Sequence, residues 1–120
     1  ALRSYPHITV HDHLAAAELQ HKLSSSKLVI CRSGYTTLMD LMKLGKKAFL
    51  IPTPGQPEQE YLAQYMQGQS YFPFHQQKGF DLLSAIKVAD SFPYQHPFAE
   101  ADFEVYKKRI DELLKERLRN

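Results

Sequence analysis

The 120-residue chain has no tryptophan, a single cysteine and five glycines, and its fifteen Lys and Arg against thirteen Asp and Glu leave a formal charge of only +2. Each scarcity excludes something. Cys31 cannot form an internal disulfide framework or complete a cysteine zinc knuckle, which accords with a reducing compartment. So small a net charge makes no electrostatic case for nucleic acid as a partner. No apolar run approaches the ~20 residues that span a bilayer, and no charged and apolar leader opens the sequence, so the expected location is cytoplasmic. What is present suffices for a core: 43% of the residues are hydrophobic, with seven Phe and seven Tyr, in a length that accommodates one domain at most.

Short apolar bursts alternate with stretches of helical spacing, the sign of an α/β protein. Residues 7–10, His-Ile-Thr-Val, suit a strand; residues 14–23 suit a helix, with Leu19 and Leu23 four apart and Asp12 near enough to cap it. Residues 27–31 form a continuous apolar run, as expected of a strand buried on both faces, and break at Ser33-Gly34. Leu38, Leu41 and Met42 then mark a helical face that Gly45 terminates. Residues 48–51 are a second buried strand ending at Pro52. The turn 53–56 leads to Pro57, apt for a first helical position, and Tyr61, Leu62, Tyr65 and Met66 form the apolar face of a helix closed by Gly68.

Pro73 demotes 70–74 to an edge strand or a loop. Residues 81–88 predict a short helix with Leu82, Leu83 and Ile86 inward, and 92–97 a linker. Phe103, Tyr106, Ile110, Leu113, Leu114 and Leu118 recur at three and four residues, a closing helix whose outer face pairs Glu104 with Lys108 and Asp111 with Lys115. The order predicts the C-terminal half of a Rossmann-like parallel-sheet domain over residues 1–91, followed by a linker and an amphipathic helix over 92–120.

Two stretches could carry chemistry. Between the first buried strand and its helix, the N–H groups of Tyr35, Thr36 and Thr37 should point out at the strand's carboxyl end, where an anion sits naturally. Gly34 lets backbone approach a phosphate, Ser33, Thr36 and Thr37 offer hydroxyls, and Asp40 stands one turn on, placed to accept from ribose hydroxyls. For an isolated S-G-x-T, ordinary helix capping with a solvated Asp40 is the better account, because such caps are common. After the second strand, Gln59 and Glu60 open a helix at the same sheet edge and could bond sugar hydroxyls, or be polar residues of a helix start.

Taken together, residues 28–67 resemble the donor-binding domain of GT-B nucleotide-sugar glycosyltransferases of the MurG type. The family's R-S-G-x-x-T-x-x-E, its glycine before the second strand, its strand-ending Pro and its D/E-x-Q-Q-x-x-N-A-like helix are matched by Arg32-Ser33-Gly34, Thr37, Asp40, Gly45, Pro52, Glu58-Gln59 and Ala63. The resemblance implies a UDP-sugar, with the diphosphate on Ser33, Gly34, Tyr35, Thr36 and Thr37, the ribose on Asp40 and the sugar on Gln59 and Glu60. Asp40 replaces the family's Glu, Glu60 its second Gln, Ala63 its Asn and Lys47 its Pro, so sugar identity does not carry over.

The resemblance also implies an acceptor held by an N-terminal domain or a partner subunit, no nucleic acid, no separate cofactor, membrane association as an option for the complete enzyme, and a chain inactive by itself whose catalytic base is unassigned. A GT-B nucleotide-sugar 2-epimerase and a non-catalytic nucleotide- or anion-binding module are the alternatives. His11-Asp12-His13 does not make a metal site, since neighbours on a strand face opposite ways and a third ligand is not evident. His75 and His96 fit loops, and Cys31 reads as a packed thiol.

Overall fold

The computed structural model describes residues 6–95 and 100–118. Their order is α1 (Ala16–Ser25), β1 (Val29–Cys31), α2 (Tyr35–Leu44), β2 (Ala48–Leu50), α3 (Pro57–Gly68), α4 (Leu82–Ser91) and α5 (Glu100–Leu118). β1 and β2 run parallel with Val29 opposite Ala48 and Cys31 opposite Leu50. A further extended segment lies on the far side of β2 through a single parallel bridge between Leu50 and Phe74. There Leu50 donates to the Pro73 carbonyl (2.9 Å) and His75 to the Leu50 carbonyl (3.1 Å), so the missing N–H of Pro73 costs no ladder bond. Among the described residues the result is an α/β fold with a two-stranded parallel sheet and five helices, consistent with a partial Rossmann-like domain.

Alternation along the strands sorts side chains to two faces. Ala48 and Leu50 join Leu38, Leu41 and Met42 of α2, Leu62 and Met66 of α3, Phe72, and Ile110 and Leu114 of α5 in the main core, with Val29 and Cys31 packed against it. Phe49 faces the other way, against Ala85 and Ala89 of α4, with Leu28, Ile30, Ile51 and Phe80 around it. Residues 92–95 are held to this body: the Gln95 N–H reaches the Ser70 carbonyl at 2.8 Å and the Tyr94 hydroxyl the Ala48 carbonyl at 3.2 Å.

Several expectations are corrected. Residues 7–10 form no strand: His7 lies in a turn, 8–10 have no regular structure, and Ile8 is exposed. β1 therefore has β2 on one side and no partner on the other among the described residues, and it is half-buried where full burial was expected. α1 starts two residues late, at Ala16, with Ala15 at its N-cap and no side-chain cap, so Asp12 does not cap it. Gly68 closes α3 as its last residue, as expected, and two positions on Ser70 turns the chain in the left-handed conformation at φ 61°, with the Tyr71 N–H bonded back to the Met66 carbonyl at 2.9 Å.

On α4 the inward residues are Ala85 and Ala89; Leu82 and Leu83 are 53% and 69% exposed, and Ile86 is exposed too. Two alanines let the helix sit close on Phe49, and close approach outweighs the larger side chains beside them. Asp81 is an effective N-cap, its carboxylate accepting from the Ser84 N–H (2.9 Å) and hydroxyl (2.7 Å) and held below the usual carboxylate range by those bonds. Asp111, placed by periodicity on the outer face of α5, is half-buried and turned toward α2. Of the predicted linker, residues 96–97 lie outside the described residues, as does the Leu118 side chain.

Candidate functional site

The carboxyl ends of β1, β2 and the Phe74 segment carry three loops at one edge of the sheet, where open parallel sheets place ligands. In the first, β1 passes through Arg32 and Ser33 to Gly34, the N-cap of α2. No side chain caps this helix, and its first backbone bond runs from the Leu38 N–H to the Gly34 carbonyl at 3.0 Å. The amides of Tyr35, Thr36 and Thr37 thus have no intrahelical acceptor, and together with the helix dipole they favour an anion. Gly34 itself is extended (φ −70°, ψ 145°), so the expected tight glycine turn is absent and any residue could adopt this backbone. What the glycine provides is space: a side-chain carbon added there would meet no atom within 4 Å.

The structure separates the other first-loop residues. Thr36 and Asp40 are exposed and Thr37 is half-buried, and their spacing of three and four puts them on one face of α2. Ser33 is fully buried, its hydroxyl donating to the Gln59 carbonyl at 2.7 Å. Its side chain therefore joins two loops, whereas the sequence reading had it among the hydroxyls offered to an anion. Tyr35 reaches away from the loop to donate its phenol hydrogen to the Asp111 carboxylate.

In the second loop, Gln56 caps α3 by accepting from the Glu58 N–H (3.2 Å), and Pro57 occupies the first helical position as expected. Gln59 accepts at Oε1 from both the Thr53 N–H (2.9 Å) and the Thr53 hydroxyl (2.8 Å). A carbonyl oxygen has two lone pairs, so only the amide nitrogen of Gln59 remains to serve a ligand. Glu60 accepts from the Gly55 N–H at 3.1 Å and holds the tip of the same loop, where Gly55 has φ 76°.

Arg32 links all three loops. Its guanidinium donates to the Ile51 and Pro52 carbonyls, each at 3.3 Å, and to Oε1 of Gln77 at 2.6 Å. A planar fork with five donors suits such a junction. Beyond it lies an open cleft of about 200 Å³, lined among others by Pro54, Gly55, Glu60, Phe74, Gln77 and Lys78. Glu60 is the one site residue named from the sequence that borders this cleft; the first turn of α2 and Asp40 lie apart from it. Gln77, whose partner Arg32 lies 45 positions away, carries no local signal in the sequence, and Lys78 is known as a site residue only from its place in the cleft lining. Cys31, at the end of β1, is pushed up to about 11 by burial and stays a neutral thiol.

Comparison with known proteins bears on the same stretch. The family description "Glycosyltransferase family 28 C-terminal domain" matches residues 9–113, which include every loop described above. No curated protein and no solved structure matches the chain.

Proposed function

The chain belongs to glycosyltransferase family 28, the C-terminal domain of which covers most of it, and on that premise we propose that it holds a nucleotide diphosphate sugar, a UDP-sugar, for transfer to an acceptor. The observation that carries this reading is the uncapped first turn of α2, with three amides at the carboxyl end of β1 and open space over Gly34. A diphosphate satisfies those amides and gains from the helix dipole.

The remaining roles follow from placement. Thr36 and Thr37 add hydroxyls to the diphosphate, and Asp40, on the same exposed face, accepts from the ribose. Glu60, and Gln59 through its amide nitrogen, serve the sugar. Ser33 and Arg32 support the loops. The acceptor and the catalytic base belong to an N-terminal domain or a partner subunit, and the complete enzyme is a hexosyltransferase working in the cytoplasm.

Titration with UDP, UDP-N-acetylglucosamine and inorganic phosphate tests the reading. Affinity should rise from phosphate to UDP and change again with the sugar. Gly34→Val should remove UDP binding while leaving the circular dichroism spectrum intact, because the new side chain enters space that is empty of protein. Equal affinity for every anion, or a Gly34→Val variant that binds UDP like the parent, overturns it.

A further inference from the structure

We propose that Tyr35 and Asp111 are a positioning pair through which α5 sets the first turn of α2, and thereby the affinity for the nucleotide diphosphate; the inference rests on the donor-binding reading above. Tyr35 is the first residue of α2, so the first of the three unsatisfied amides is its own. Its ring packs against the main core and its hydroxyl donates to Oδ1 of Asp111, 76 positions further along the chain. The backbone at the start of the anion-facing turn is tied to α5 by one rigid aromatic side chain.

The other end of the tie is equally fixed. Asp111 lies between Ile110 and Leu114, which are 1% and 9% exposed and dock α5 into the core. Its carboxylate cannot shift far while these two remain in place. The tie also stands in for a missing one: a Ser, Thr or Asp at the N-cap usually fixes the first turn of a helix, and Gly34 has no side chain to do so. Instead the turn is held on one side by Ser33 on the Gln59 carbonyl and on the other by Tyr35 on Asp111. Burial and the Asp111 carboxylate push the Tyr35 phenol up to about 12, so it remains a donor throughout the neutral range. Neither residue is assigned contact with the reacting atoms through its side chain; both act through the amides of Tyr35, Thr36 and Thr37.

Coupling of this kind is reciprocal: if the seat of α5 tunes nucleotide affinity, nucleotide must steady α5. The experiment measures UDP affinity by calorimetry and amide hydrogen exchange with and without UDP for the parent, Tyr35→Phe, Asp111→Asn, Asp111→Ala and the Tyr35→Phe/Asp111→Ala double variant. Tyr35→Phe and Asp111→Ala should each weaken UDP by roughly three- to tenfold, the double variant no more than either, as for residues in one bond. Asp111→Asn, which keeps an acceptor oxygen, should recover part of the loss. In the parent, UDP should slow exchange over residues 110–114 more than over α4, and Tyr35→Phe should abolish that difference.

A purely structural bond would lower the melting temperature of these variants without changing UDP affinity or the exchange difference, and that result overturns the proposal. So do additive losses. If Asp111→Ala does not fold, Tyr35→Phe decides, since it retains the packed ring. Failure of the parent to bind UDP, or full binding by Gly34→Val, brings down the donor-binding reading and this inference with it. Loss of binding in Gly34→Val with full affinity in Tyr35→Phe brings down the inference alone.

Discussion

Ser33, with no surface exposed to solvent, donates its hydroxyl hydrogen to the backbone carbonyl of Gln59 at 2.7 Å and fastens the end of β1 to the first turn of α3. The bond spans 26 positions and joins the two loops that the donor-binding reading requires side by side. Serine is small enough to be enclosed there, and its single proton is used within the fold.

Ser33→Ala should therefore act on stability first. Loss of one neutral buried hydrogen bond costs about 1 kcal/mol, or roughly 4 °C in melting temperature for a domain of this size. Thermal unfolding by circular dichroism measures it; an unchanged melting temperature would mean that the bond adds nothing to the folded state.

Asp40→Ala should weaken UDP far more than inorganic phosphate, because only UDP carries ribose hydroxyls. A hydrogen bond to a charged acceptor is worth roughly 1.5–3 kcal/mol, so a loss of about ten- to a hundredfold is expected for UDP and almost none for phosphate. Asp40 is exposed and its removal leaves the core untouched. Equal losses for the two ligands would assign its effect to the helix and not to ribose.

Arg32 makes a separate prediction about the loops. Arg32→Ala releases the Ile51 and Pro52 carbonyls and Gln77 together, so exchange over residues 75–80 should quicken. Arg32→Lys should not restore protection, since a single ammonium cannot span three oxygens as a guanidinium fork does. Unaltered exchange in both variants would show that these exposed bonds do not order the third loop.

The face of α4 distinguishes the observed packing from the one expected. Leu38→Ala, at a fully buried position, should cost about 2–5 kcal/mol, a large fraction of the ~5–15 kcal/mol that holds a domain together. Leu83→Ala, at a position 69% exposed, should change stability by less than about 0.5 kcal/mol. Denaturant unfolding compares the two, and a cost at Leu83 approaching that at Leu38 would reinstate the inward leucine face.

What was legible in the sequence follows from how local each signal is. α2 could be read because Leu38, Leu41 and Met42 lie on one face and Gly45, at φ 65°, ends the helix where expected. Pro57 and the edge character of Pro73 were legible for the same reason: proline's ring and missing N–H act on their own neighbours. The face of α4 was not, because hydrophobicity alone favours Leu82 and Leu83 over Ala85 and Ala89, whereas what decides is how closely the helix can approach Phe49. Residues 8–10 have strand-like composition, but a strand exists only with a partner.

At the candidate site the position of the loops was legible and the direction of the side chains was not. The amides of Tyr35, Thr36 and Thr37 follow from a strand running into a helix. The inward turn of Ser33, the junction of Arg32 with Gln77 across 45 positions and that of Tyr35 with Asp111 across 76 depend on partners that no local pattern reveals.

Alkaline pH should expose the tyrosine bonds. Tyr35, Tyr71 and Tyr94 are each pushed up from 10 to about 12, first by burial; in Tyr35 the bond to Asp111 adds to it. Their neutral forms are favoured in the folded state, so between these limits the unfolded chain loses protons that the folded chain retains, and stability must fall as pH rises. The contribution is complete below pH 10 and is lost as pH passes through the folded value near 12. Ionisation also removes the hydrogens that Tyr35 gives Asp111 and Tyr94 gives the Ala48 carbonyl. Denaturant unfolding across this range, followed by circular dichroism and by tyrosinate absorbance, should show stability and phenol protons lost together. Lysines titrate over the same interval, so the comparison that decides is with Tyr35→Phe and Tyr94→Phe, each of which should be less stable than the parent below pH 10 and should decline less steeply above it. Parallel curves for parent and variants would show that these phenols titrate alike in the folded and unfolded chain.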